Sequence, residues 1–106
     1  MVSAGARRIG NDAIAAEIVR QLSRRATDSS ICPSEVARAL HSDAAAWRAL
    51  MPQVRDVAVV MRNAGRVRIT QRGFDVPDDA VHRGAIRLAR GPEFGASGTT
   101  SSSAAV

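Results

Sequence analysis

Lysine and tyrosine are absent from this chain, and aromatic residues make up only 3% of it: Trp47, Phe74 and Phe94. So few rings exclude a surface that stacks successive unpaired bases. They also leave the core to Ala, Val, Ile and Leu. One cysteine, Cys32, excludes an internal disulfide and suits a reducing cytoplasm. No apolar run approaches the ~18 residues of a membrane span, so no membrane partner is expected. The opening "MVSAGARRIG" has arginines but no apolar run after them, so no secretory signal is expected. Two histidines, His41 and His82, with one cysteine make no metal-ligand spacing. No glycine-rich phosphate loop appears. Asp78 and Asp79 are adjacent, without the opposed placement that acid–base chemistry needs. Neither an enzyme nor a cofactor is expected.

What is present is arginine. All fifteen basic residues are arginine, against ten acids, for a net charge of +5. A positive balance favours anionic partners. The missing lysine and abundant alanine also suggest a coding bias, which discounts each arginine as a chosen anion contact. The 106 residues suffice for one domain. Three segments are expected: a flexible N-terminus over 1–10, a folded domain over 11–90, and a disordered Gly/Ser/Thr-rich tail over 91–106.

Helical spacing predicts a first helix from Asn11 or Asp12, either of which suits the cap, with Ile14, Ile18, Val19 and Leu22 inward. Arg24 and Arg25 fall in its last turn, where cations suit the helix dipole. "DSSIC" reads as a short extended connection. Pro33 opens a second helix that ends near His41, with Val36, Ala37 and Leu40 inward. Ser42 or Asp43 caps a turn carrying Trp47, whose place beside Leu50 and Met51 marks it for the core rather than for base stacking. Pro52 predicts a break, because proline inside a helix costs ~3 kcal/mol. A third helix then runs from Pro52 to Ala64, with Val54, Val57, Ala58 and Met61 buried, and Gly65 stops it.

After Gly65 the period changes from 3.6 to 2. Val67 and Ile69 point inward and Arg66, Arg68 and Thr70 outward. "QRGF" reads as a turn, "FDV" as a possible continuation of the strand pattern, and "PDDAVHRG" as loop. "AIRLAR" is another strand, with Ile86 and Leu88 inward and Arg87 outward. Arg87 is expected across from Arg66 and Arg68, which sets like charges against each other. The fold class is therefore α+β: a winged helix-turn-helix of three main helices followed by a two-stranded β-hairpin wing.

The pieces "ICPSEVARAL", "WRALMPQVRDVA", "AGRVRITQRGFDV" and "RGAIRL" cover most of residues 12–90. In order and spacing they resemble a small bacterial family of domains of unknown function with a winged-helix fold. One departure is Ala85, where that pattern has proline. The resemblance implies the fold and carries no site residue with it. Winged helices as a class bind DNA or serve as protein-interaction modules.

The expected function is double-stranded DNA binding, regulatory in kind, through the third helix and the basic wing. Residues 62–90 hold seven arginines and three acids, so the positive charge concentrates there. Arg68, Arg72 and Arg83 would position the duplex by its phosphates. Gln53, Arg55 and Arg62 would read bases, since Gln suits adenine and Arg suits guanine. Asp56 opposes phosphate, and Val59 and Val60 are neighbours that cannot both be buried. The alternative is therefore a protein–protein interaction module with no nucleic-acid activity. A homodimer is compatible with both. Cys32 precedes a helix start, where a thiol pKa falls, but a lone cysteine beside an apolar residue is usually inert.

Overall fold

A computed structural model of the chain describes residues 9–77 and 80–94. Helix α1 (Asn11–Ser23) forms where Ile14, Ile18 and Leu22 recur every fourth residue, and all three are fully buried. Val19 packs beside them half-exposed. Gly10 takes the cap position, with no side-chain cap bond. Neither Asn11 nor Asp12 caps the helix, because Asn11 is already helical and its Oδ1 accepts a bond from Gln53. The helix also ends sooner than charge suggests: Arg24 is its cap and Arg25 lies beyond it. The cation serving its last carbonyls comes from elsewhere. Arg90 donates Nη2 to the oxygens of Leu22 (2.9 Å) and Arg25 (3.0 Å).

The "DSSIC" connection contains a two-residue strand, β1 (Ser30–Ile31), and Cys32 then caps α2 (Pro33–Leu40). Pro33 sits at the first position, where its missing N–H costs nothing. Glu35 reaches back so that Cys32 N donates to its Oε2 at 2.9 Å, a capping box. Asp43 caps α3 (Ala44–Asn63) by accepting from Ala46 N at 3.0 Å.

Helix α3 is one element of 20 residues with Pro52 inside it. The predicted break is overruled by packing. Leu50, before the proline, and Val54, Val57, Ala58 and Met61, after it, form one buried stripe only if the helix continues. Burying a large apolar side chain yields roughly 1.5–3 kcal/mol, so the stripe outweighs the ~3 kcal/mol of an interior proline. Pro52 itself is exposed.

Gly65 follows with φ +79, and β2 (Val67–Gln71), β3 (Phe74–Asp75) and β4 (Arg87–Arg90) complete a four-stranded antiparallel sheet in the order β1-β4-β2-β3. The pairing is richer than a two-stranded hairpin. β2 is flanked by β3 on one side and β4 on the other, and β1 extends the sheet beyond β4. Ile31, Leu88 and Ile69 align across the inner face and are fully buried. The protein is thus α+β, with three helices on one face of a small sheet.

Register answers the expected charge clash. Arg68 lies opposite Ala89 and Arg87 opposite Thr70, so no two arginines of β2 and β4 face each other on the outer side. Arg66 lies just before β2 and is half-buried.

Val81, in the segment read as loop, joins the core at 0% exposure, and Val76, read as continuing the strand pattern and lying just past β3, joins it at 4%, both in one cluster with Ile86. Gly91–Phe94, placed by composition in the tail, form a turn: Glu93 N donates to Gly65 O (2.8 Å) and Phe94 packs against the core under Arg90. Residues 1–8 and 95–106, which hold most of the expected flexible end and tail, lie outside the described residues.

Candidate nucleic-acid interface

Two surfaces carry the arginines that a nucleic acid would meet: the outward side of α3 and the β2–β3 turn with the loop after it.

On α3, the residues most open to solvent are Ala44, Ala45, Arg48, Ala49, Pro52, Asp56, Val60 and Asn63. This stripe is mostly neutral or apolar, and Val60 is 68% exposed. The arginines expected to read bases turn aside from it. Arg55 Nη1 donates to Val81 O at 2.8 Å, and Arg62 Nη1 donates to Val76 O. Each grips the backbone of one of the two loop valines that enter the core. Gln53 donates Nε2 to Ile9 O (2.9 Å) and Asn11 Oδ1 (2.8 Å), tying α3 to the start of α1. All three side chains are half-buried and committed within the chain. Asp56 Oδ1 faces His82 Nε2 at 2.8 Å, a contact that becomes an ion pair when the imidazole is protonated.

The hairpin differs. Arg72 and Gly73 form a two-residue turn with φ of +56 and +86. Positive φ at both central positions is the geometry whose twist matches paired strands, and Asn-Gly is its usual occupant. Arginine there is unfavourable by roughly 1 kcal/mol. Its side chain is exposed and, among the described residues, has no polar partner. The Arg83 side chain is likewise exposed and unpartnered among the described residues, although its carbonyl accepts from Gln71 Nε2 at 3.1 Å. Arg68 is paired with Asp75 at 3.0 Å, both well exposed, so water screens that pair heavily. Arg87 holds Ser30 through both Oγ (2.9 Å) and the carbonyl (3.0 Å). Phe74, beside the turn, is 76% exposed.

Of the six residues singled out from the sequence, the structure groups Arg68, Arg72 and Arg83 around the hairpin. It directs Gln53, Arg55 and Arg62 to internal partners.

The family model described as Protein of unknown function (DUF3253) matches residues 11–91. The chain belongs to this family. No curated protein matches it. The DUF3253 match spans α1 to the end of β4, so it includes every strand and both surfaces described above.

A further group of side chains in this DUF3253 domain escaped the sequence reading. Trp47 is half-buried against the core, as expected, but its ring is also covered by cations. The Arg38 guanidinium lies 4.8 Å from the ring centroid and that of Arg48 5.4 Å. Arg48 adjoins Trp47 in sequence, which is a signal. Arg38 is on α2, and nothing local announces its approach. Cys32 is half-buried, with Ser34 Oγ 3.2 Å from its sulfur. Among the described residues, no cluster of His, Cys, Asp and Glu suits a metal, and no helix is long and apolar enough to cross a membrane.

Two carboxylates are held well into the charged form. Arg20 and then Gln21 hydrogen-bond Glu17, which lowers its pKa against the opposing effect of burial. The Cys32 N–H does most to lower that of Glu35, with Arg25 (2.6 Å) and Arg87 adding to it. Both serve the joint between α1, α2 and the sheet rather than any open cleft.

Proposed function

We propose that this domain is a winged helix-turn-helix module that grips the phosphate backbone of double-stranded DNA through its hairpin. The observation carrying this reading is the pair Arg72 and Arg83, exposed and without polar partners among the described residues. A guanidinium with five free donors is suited to phosphate. Arg68 joins them, because exchanging the exposed Asp75 carboxylate for a phosphate costs little. The element order supports the reading. Helices α2 and α3 are joined by three residues and followed by the β2–β3 hairpin, a loop and β4, an order compatible with a winged helix. Contacts of this kind position a protein on a duplex and carry no sequence information. For base reading, Gln53, Arg55 and Arg62 would first have to release the partners they hold.

Fluorescence anisotropy with a random-sequence duplex at ~50 mM salt tests it, with log K expected to fall linearly against log salt. No binding at tens of micromolar protein would end the proposal.

A second reading has its own support. The mostly neutral stripe of α3, which runs from Ala49 through Pro52 to Val60 (68% exposed), suits a protein partner better than phosphate. That reading predicts a stoichiometric complex that survives nuclease. Loss of every captured partner on nuclease treatment would remove it.

A further inference from the structure

The unexplained group outside the hairpin is Arg38, Trp47 and Arg48. Two exposed guanidiniums, one from α2 and one from α3, stack on a single half-buried indole. At 4.8 and 5.4 Å from one centroid, they are no farther apart than the sum of those distances. The ring attracts both cations and fixes where the two side chains sit. Among the described residues neither cation is paired with a carboxylate. Glu35 is occupied by Cys32 N and Arg25, and Asp43 by Ala46 N. Among the described residues neither arginine has a polar partner, so the donors of both planar forks remain available. Side chains already ordered by the indole lose little freedom on binding an anion. Two guanidiniums with free donors suit an anionic ligand.

We infer that Arg38 and Arg48, oriented by Trp47, form a clamp for two neighbouring phosphates of a nucleic-acid backbone. The inference rests on the DNA reading above but uses different residues, on the helices rather than on the hairpin. It makes the α2–α3 pair a second phosphate contact.

Trp47 is the only tryptophan of the chain, so its emission reports on this site alone. The test titrates a random duplex, and separately inorganic pyrophosphate, into the wild-type protein and the R38Q/R48Q variant. Emission and anisotropy are recorded, and circular dichroism checks that the variant is folded. The clamp predicts that duplex changes Trp47 emission over the range in which anisotropy rises. R38Q/R48Q should lose that change and bind with a salt slope shallower by about 1.8. Duplex binding with no emission change, or with an emission change and slope that survive in R38Q/R48Q, would overturn the clamp and leave the hairpin reading intact. If wild-type protein binds no duplex, the hairpin reading falls and pyrophosphate decides the clamp. An emission change in the wild type that the variant lacks retains it as an anion site; no change overturns it.

Discussion

Helix α3 and the β2–β3 hairpin both carry arginines that look outward in sequence, yet they use them in opposite ways. On α3, Arg55 and Arg62 bend to the loop after β3 and bond the carbonyls of Val81 and Val76. On the hairpin, Arg72 occupies a backbone conformation that suits it poorly and bonds nothing described. The first pair holds the fold together. The second residue strains it slightly and leaves its charge exposed. An arginine's element therefore says less about its role than the acceptor it meets.

The contrast is broken most forcefully by removing the α3 pair. Hydrogen bonds from charged donors contribute about 1.5–3 kcal/mol each. These are partly exposed, so R55A/R62A should lose about 3 kcal/mol in urea denaturation, with Val76 and Val81 losing their anchorage. R72A/R83A should stay within about 0.5 kcal/mol of wild type. Equal losses in the two variants would erase the distinction.

A smaller effect lies in acid. Glu35 has a lowered pKa in the folded protein, from the Cys32 N–H first and then Arg25 and Arg87. A lowered folded-state pKa adds stability above the ordinary carboxylate range, and that stability is lost as pH falls through the lowered value. Glu17 acts in the same direction. Glu35→Gln should cost about 1 kcal/mol at neutral pH, as losing a cap does, and should flatten the acid limb of thermal stability. An unchanged acid limb would mean that the pair is too solvated to matter. R72A/R83A should keep the wild-type limb, since neither arginine touches either carboxylate.

The smallest change sharpens the comparison. Arg72→Asn places a residue suited to positive φ before Gly73 and should raise stability by about 0.5 kcal/mol. It should also weaken duplex binding. A variant that gains stability and loses affinity marks a side chain kept for something other than folding. A gain in both would argue that Arg72 is incidental.

Much of the fold could be read locally. Ile14, Ile18 and Leu22 are spaced for a helix, and Val67, Ile69, Ile86 and Leu88 alternate for strands, so their burial follows from period alone. Long-range terms were not legible. Pro52 is a strong local breaker, and only the stripe running from Leu50 to Met61 reveals why the helix continues. Val81 lies in a segment whose Pro and Asp residues read as loop, with no period to mark it as core. The site was legible as a region of excess positive charge. It was not legible which arginines were already engaged, because Arg55 and Arg62 bond backbone carbonyls that no side-chain pattern advertises. The shared indole under Arg38 and Arg48 joins residues of two helices and was equally hidden.

The central claim is that Arg72 and Arg83 of the hairpin region, rather than Arg55 and Arg62 of α3, meet DNA. The slope of log K against log salt for a random duplex tests it, compared among wild type, R72Q/R83Q and R55Q/R62Q. Each lost phosphate contact lowers the slope by about 0.9, so R72Q/R83Q should be shallower by about 1.8. R55Q/R62Q should keep the wild-type slope while melting earlier. A slope that drops in R55Q/R62Q and stays unchanged in R72Q/R83Q would contradict the account.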